Sequence, residues 1–203
     1  TADGIVVLSH DEDLRRTAND PRAVGEVMWA ELADLDSGDG RGFVRLDDAL
    51  HAHPTMRFNV DLKDSNVVQA ALQTVRDAEA LDRVRFASFS ARRLAVLRRQ
   101  EPRAMTSLGV SDVLGLMLRS EAAVPLPQTR WGWTRGRADA VQVPESYRGV
   151  PVVTRRFVAS AHTADLEVHV WTVDEPERMR RMVDLNVDAI MTDVPTLALQ
   201  TLG

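Results

Sequence analysis

The chain has 203 residues, 44% of them hydrophobic and 27% charged, which is enough apolar mass for one sizeable core in a single globular domain over residues 1–203. Its net charge of −5 argues against a general nucleic-acid coat or an anionic membrane surface as partner, and the absence of cysteine excludes disulfides, thiolate catalysis and thiolate zinc sites together. No apolar run reaches the length of about 18 residues that a membrane-spanning helix needs.

The chain opens on TADGIVVLSHD, Thr1 to Asp11. Asp3-Gly4 predicts a two-residue hairpin turn, with a strand Ile5–Ser9 after it. Only Thr1 and Ala2 remain for the strand before that turn, so the fold's first elements are expected upstream of Thr1. Further strands are predicted at Arg57–Lys63, Val84–Ser88, Ala104–Leu108, Ala138–Val143, Val168–Val173 and Ala189–Thr192. Between them, helical periodicity marks Ser65–Ala80, Ala91–Arg99, Arg155–Ala164 and Glu175–Leu185. Ser90 is placed to cap one helix, and Asp174 followed by Pro176 to open another. Strands alternating with helices of this length predict βαβ units, hence a parallel sheet, either doubly wound or closed into a barrel.

The strand Phe58-Asn59-Val60-Asp61-Leu62-Lys63 favours the barrel. Successive side chains alternate faces, so Phe58, Val60 and Leu62 point one way and Asn59, Asp61 and Lys63 the other. A central strand of a doubly wound sheet is covered on both sides and reads apolar throughout. A barrel strand can turn polar residues into the lumen near its C-terminal mouth. One composition anomaly, QTRWGWTRGR from Gln128 to Arg137, reads as a loop or insertion between βα units.

Lys63 is the only lysine beside 24 arginines. Arg is a planar fork and Lys a compact point charge on a flexible stem, so a site that takes only the ammonium is a reason for that single use. Three places put reactive side chains at strand ends, where barrel enzymes keep their sites: His10-Asp11, Asp61 with Lys63, and Trp171 followed by Thr192-Asp193. Taken one by one each has a plainer role, as strand-end structure, ion pair or core. His51 and His53 read as surface residues and His162 as helix packing. The paired arginines 15-16, 92-93, 98-99 and 180-181 read as solvated helix faces.

In combination and order these segments resemble the glycerophosphodiester phosphodiesterase family. The resemblance is carried by T-x-D-G-x-x-V-x-x-H-D-x-x-L-x-R-T over Thr1–Thr17, by Trp29-Ala30-Glu31-Leu32 with Leu35-Asp36, and by Asn59-Val60-Asp61-Leu62-Lys63. Ser88-Phe89, Trp171-Thr172-Val173 and the run Val187–Pro195 complete it. It implies a (β/α)8 TIM barrel whose N-terminal βα unit and most of the second strand lie outside this chain. It implies metal-dependent hydrolysis of glycerophosphodiesters, with Mg2+ or Ca2+, to an alcohol and glycerol 3-phosphate. A glycerol hydroxyl would attack first, giving a cyclic phosphate that water opens. His10 would be one of two catalytic histidines, Asp61 one of three metal carboxylates, and Lys63 the phosphate contact, with Phe89 and Trp171 walling the pocket. The second histidine and a Glu-x-Asp pair would precede Thr1.

This chain departs from the family in having Asp61 where glutamate is usual. It also has Asp165 and Asn186 where glycine often follows a helix, positions that suit left-handed backbone. The expected partner is a small-molecule glycerophosphodiester, not nucleic acid; the oligomeric state is not legible. Cytoplasmic placement is expected, with export left open by the chain's start. Alternatives are a sphingomyelinase-D- or phospholipase-D-like activity on intact lipid, with Trp131 and Trp133 as its apolar lip, or a degenerate barrel that binds a phosphate ester without cleaving it.

Overall fold

The structure is a computed structural model and describes residues 1–38, 40–121 and 138–203. These form two compact units, Thr1–Phe86 and Ala87–Gly203. The segment Gln128–Arg137, with Trp131 and Trp133, lies outside the described residues.

In the first unit the elements run β1 (Val7–Leu8), α1 (Arg15–Ala18), a 3-10 turn (Val24–Glu26), α2 (Trp29–Leu32), β2 (Asp36–Gly38), β3 (Arg41–Gly42), β4 (Val44–Arg45), α3 (Leu46–Ala52), β5 (Phe58–Asp61), α4 (Val67–Asp77) and β6 (Val84–Ala87). The opening hairpin turn is displaced by one residue from its predicted place. Gly4 N–H donates to Thr1 O at 3.0 Å and the Thr1 amino group to Ile5 O at 2.9 Å, while Gly4 sits at φ +82°. Ala2 and Asp3 are therefore the turn's centre, and Gly4 takes the left-handed position that closes a three-residue loop. A two-residue turn on Asp3-Gly4 would have required positive φ at the aspartate as well. β1 then pairs antiparallel with β4, Val7 opposite Arg45. Leu14, Val27, Leu32 and Phe43 form the core beneath, with Trp29 and Leu35 packed against it.

Arg83 closes the C-terminus of α3. Its guanidinium donates to the carbonyls of Leu50 (2.9 Å), His53 (3.1 Å) and Met56 (3.1 Å), satisfying acceptors that a helix end leaves open. The same group lies 5.6 Å from the centroid of the Phe58 ring, and Phe58 N–H donates to Arg83 O at 2.8 Å. These contacts anchor the start of β5 and so aim its far end, where Asp61 and Lys63 stand. On α4, Val68, Ala71, Leu72 and Val75 are buried at helical spacing.

The second unit continues with α5 (Ala91–Gln100), β7 (Met105–Thr106), α6 (Val110–Glu121), β8 (Ala140–Pro144), β9 (Ser146–Tyr147), β10 (Val150–Pro151), α7 (Arg155–Thr163), β11 (Glu167–Trp171), α8 (Pro176–Asp184), β12 (Ala189–Ile190) and α9 (Pro195–Leu202). β11 lies between β8 and β12, parallel to both, with Val168 opposite Val141 and His169 opposite Ala189. Ser107, just past β7, bridges Ala140 in parallel, so the C-terminal ends of these strands share one edge. Val141, Val143, Val168 and Val170 from the strands meet Phe157, Val158, Met179 and Met182 from α7 and α8 in the core. Ser90 Oγ accepts from Arg93 N at the start of α5, and Thr154 Oγ1 from Phe157 N at the start of α7. Asp165 and Asn186 adopt left-handed backbone at φ 56° and 63°, as their positions after α7 and α8 demand.

Four further expectations are corrected. The strands pair in separate two- and three-stranded sheets, and among the described residues none closes into a ring. The repeating βα units expected of a barrel are present, but closure requires every strand to be paired on both edges, and among the described residues β12, two residues long, pairs only with β11. Arg98 is not on a solvated face but 2% exposed, with Nε donating to Thr106 Oγ1 at 2.7 Å and Nη2 to Ser107 O at 2.6 Å. Burial lowers its pKa from the usual arginine value against the opposing pull of Asp112 and Asp139. Asp174 does not cap α8, whose N-cap is Glu175. His162 is half-buried and turned to Asp188, 2.8 Å from its Oδ2, rather than packed among apolar side chains.

Candidate active site

Lys63 Nζ lies 2.8 Å from Asp61 Oδ2, the two side chains being 39% and 31% exposed. They come from one face of β5 and its continuation, while Leu62 between them is 2% exposed and faces the core. Alternation along the strand therefore does what the sequence predicted: it lifts a carboxylate and an ammonium together onto the side away from the core.

His10 follows β1 by two residues. Its Nδ1 is 2.7 Å from Asp11 Oδ1, and Asp11 Oδ2 accepts from Arg16 Nε at 2.6 Å. The backbone is held by Ser9 Oγ, which donates to Asp11 O at 2.8 Å. The hydrogen bond from His10, then that from Arg16, holds the Asp11 carboxyl below the usual carboxylate range. A carboxylate on Nδ1 sets the ring's orientation and places its proton there, so that Nε2 carries the lone pair. The His10 side chain is 84% exposed. Among the described residues no hydrogen bond joins His10 to Asp61 or Lys63. His51 and His53 are exposed, as expected of surface residues, and His51 Nδ1 contacts Asp47 O at 2.7 Å.

In the second unit Phe89 and Trp171 meet edge to face, ring centroids 6.1 Å apart at an interplanar angle of 78°, an arrangement aromatic pairs prefer. Trp171 ends β11 opposite Pro144, the last residue of β8. Phe89 is 64% exposed, and its carbonyl accepts from Val110 N–H at 3.1 Å. The two aromatic residues that the sequence placed separately are thus brought together at the C-terminal edge of the strands.

Sequence reasoning missed three groups at this edge. Glu145, directly after β8, binds Arg178 Nε at 2.6 Å and Arg181 Nη1 at 3.1 Å; the bond to Glu145 raises the Arg178 pKa. Asp174 Oδ1 accepts from Thr192 Oγ1 at 2.8 Å and from Asp193 N at 2.9 Å, joining the loops that follow β11 and β12. The signal for the second was present: Thr192-Asp193 and Asp174 each stand just past a strand end, and neighbouring parallel strands bring such positions side by side. A third group, His169 with Gln142 at 3.4 Å and Glu167 at 3.1 Å, lines the same face of β11 as Trp171.

A hard divalent cation takes six or more oxygen ligands, several from carboxylates or water. Among the described residues no group of three His, Cys, Asp or Glu side chains is placed to hold one. Asp61 supplies a single carboxylate, one of whose oxygens is already on Lys63. By themselves these residues do not make a metal site. No described helix is long and apolar enough to cross a membrane.

The sequence model described as the Glycerophosphoryl diester phosphodiesterase family matches residues 1–197. A curated relative, "Probable glycerophosphodiester phosphodiesterase 2" of Mycobacterium tuberculosis, is 35% identical over 195 residues, which are 95% of this chain and 72% of the relative. Among solved structures, a phosphodiesterase of Oleispira antarctica in complex with the product sn-glycerol-3-phosphate superposes with a TM-score of 0.77 at 19% identity, covering 100% of this chain and 81% of the other. A glycerophosphodiester phosphodiesterase of Parabacteroides distasonis gives a TM-score of 0.73 at 21% identity, covering 98% and 79%. Such neighbours carry the α/β architecture of the TIM-barrel type.

Proposed function

Because this chain belongs to the glycerophosphoryl diester phosphodiesterase family, a family of phosphoric diester hydrolases, we propose that it hydrolyses small glycerophosphodiesters to an alcohol and glycerol 3-phosphate. The observation that carries the reading is the pairing of Lys63 with Asp61 at the end of β5, within a chain matched to the family over residues 1–197. In this reading the Lys63 ammonium takes a non-bridging oxygen of the diester. As a point charge on a flexible stem, it follows that oxygen while the geometry at phosphorus changes. Asp61 holds the ammonium in place until substrate arrives.

His10 is the acid–base group of this chain. With Nδ1 on Asp11, its Nε2 is left to take the proton of an attacking hydroxyl or to return one to the leaving alcohol. The hydroxyl adjacent to the ester attacks first in this scheme, and water then opens the cyclic phosphate. Within the second unit, Phe89 and Trp171 form an edge-to-face pair whose flat apolar faces suit an apolar group.

Dependence on Mg2+ or Ca2+ is part of the proposal. When bound, such a cation screens the anionic diester and steadies charge developing on oxygen. Asp61 is the residue of this chain that the proposal assigns to it. Release of glycerol 3-phosphate from glycerophosphocholine, with Mg2+ or Ca2+ and with EDTA as control, tests the reading. Metal-dependent release is expected. Binding of the diester without cleavage under every metal condition would overturn it in favour of a degenerate, ligand-binding member.

A further inference from the structure

One part of the second unit takes no part in the proposed reaction. Between β8 and α7 the chain projects the β9–β10 hairpin, whose turn residues Arg148 and Gly149 have φ of 51° and 80°. Val150 pairs directly with Tyr147, so their side chains share one face of the hairpin, and each residue is 61% exposed. The Arg148 guanidinium carbon lies 5.4 Å from the Tyr147 ring centroid. The hairpin follows the last residue of β8, at the same edge where Trp171 ends β11. Val110, 56% exposed at the start of α6, and Phe89 stand at this edge too.

Along the segment from Glu145 through the hairpin into α7, the charges run against those of the chain. Between residues 145 and 156 there are three arginines, Arg148, Arg155 and Arg156, and one acid, Glu145, in a chain of net charge −5. Glu145 is already bound by Arg178 and Arg181, so it does not neutralise the three. Arg155 and Arg156 are exposed on the first turn of α7.

An aromatic ring with a hydroxyl tip, a β-branched neighbour and flanking guanidinium groups match the layered chemistry of a lipid headgroup region. Tyr is favoured at the boundary between acyl chains and water, and arginine stems lie along apolar surface while the head meets phosphate. Basic residues near such a surface are attracted by anionic lipid. The apolar tip is convex and two residues wide, so it suits a soft surface that closes around it and offers no groove to a partner helix. We propose that the β9–β10 hairpin docks the protein on an anionic phospholipid surface, Tyr147 and Val150 entering the interface and Arg148, Arg155 and Arg156 meeting the headgroup phosphates. The inference is independent of the reaction.

The test is co-sedimentation of the full chain with vesicles of mixed phosphatidylglycerol and phosphatidylcholine, and with vesicles of phosphatidylcholine alone, at low and high salt. The wild type pellets with the anionic vesicles, is released by salt, and stays in solution with the zwitterionic ones. Arg148→Glu weakens partitioning by more than about fivefold, the effect of losing one arginine at such a surface, and Tyr147→Ser with Val150→Ser weakens it further. Circular dichroism and thermal melting confirm that each variant is folded; if the double variant is not, Arg148→Glu and the wild-type salt dependence carry the test. No pelleting of the wild type with anionic vesicles overturns the proposal, and so does pelleting that the variants retain in full. Equal binding to both vesicle types without a salt effect overturns the anionic assignment.

Discussion

Replacing Lys63 by arginine preserves charge and separates the two roles this residue can have. If the Lys63–Asp61 contact served only stability, its worth would be small. At 2.8 Å the Coulomb energy is about 6 kcal/mol for an effective dielectric constant of about 20. Both side chains are about one-third exposed, however, and solvent screening reduces such pairs to about 1 kcal/mol or less. An arginine would still pair with Asp61, so the melting temperature of Lys63→Arg should move by no more than about 2–4 °C.

The proposed catalytic role predicts a far larger effect. A guanidinium presents a rigid fork that closes bidentately on the Asp61 carboxylate, which ties the positive charge to the wrong anion. Loss of one well-aimed donor on a transition-state oxygen costs about 2.7–4 kcal/mol, or about 10²–10³ in kcat. The assay is release of glycerol 3-phosphate from glycerophosphocholine at saturating substrate, with thermal melts on the same preparations. Lys63→Arg should melt like wild type and turn over about a hundredfold more slowly. Turnover within about a factor of two of wild type would refute the reasoning and return Lys63 to a surface ion pair.

His10→Ala should lower the rate by about 10²–10⁴, the range for a single acid–base group. In the same variant the Asp11 carboxyl loses the larger of the two bonds that hold its pKa down, so its titration, followed by NMR, should move up toward the ordinary value. Asp61→Glu extends the carboxylate by one methylene and should lower the metal concentration needed for half-maximal activity; an unchanged metal requirement would remove Asp61 from the metal's surroundings. Arg98→Ala takes two charge-assisted donors from buried acceptors, Thr106 Oγ1 and Ser107 O, and should cost about 3 kcal/mol in urea unfolding. Arg98→Met, which refills the volume, should cost less.

The βα rhythm of the second unit was legible because its elements are bounded by residues with one conformational meaning: Ser90 as a cap, Asp165 and Asn186 as left-handed stops. α6 escaped notice because Val110, Leu114 and Leu118 are exposed and Gly115 interrupts it, so no polar face signals a helix. The β9–β10 hairpin was equally silent: its turn is Arg148-Gly149, with arginine where asparagine or aspartate is the usual signal. Arg98 was misread from its charge, although Leu94, Leu97 and Arg98 fall at i, i+3 and i+4 on the buried stripe of α5. The candidate site was visible as fragments, since Asp61 and Lys63 share a strand and spacing alone brings them together. Asp174 and Thr192 each stand just past a strand end, but that these two strands are neighbours is a relation between distant segments, set by the parallel pairing of β11 and β12.

That last contact makes one oxygen atom a common tether. Asp174 Oδ1 holds both Thr192 and Asp193, and Val173 N–H in turn donates to Met191 O at 3.0 Å. The loop behind Trp171 and the start of the final βα unit therefore cannot open separately. In native-state hydrogen exchange, the amides of Val173, Asp193 and Val194 should exchange with a single opening free energy. Asp174→Ala should split that unit in two, leaving β12 and α9 to fray without disturbing the aromatic pair.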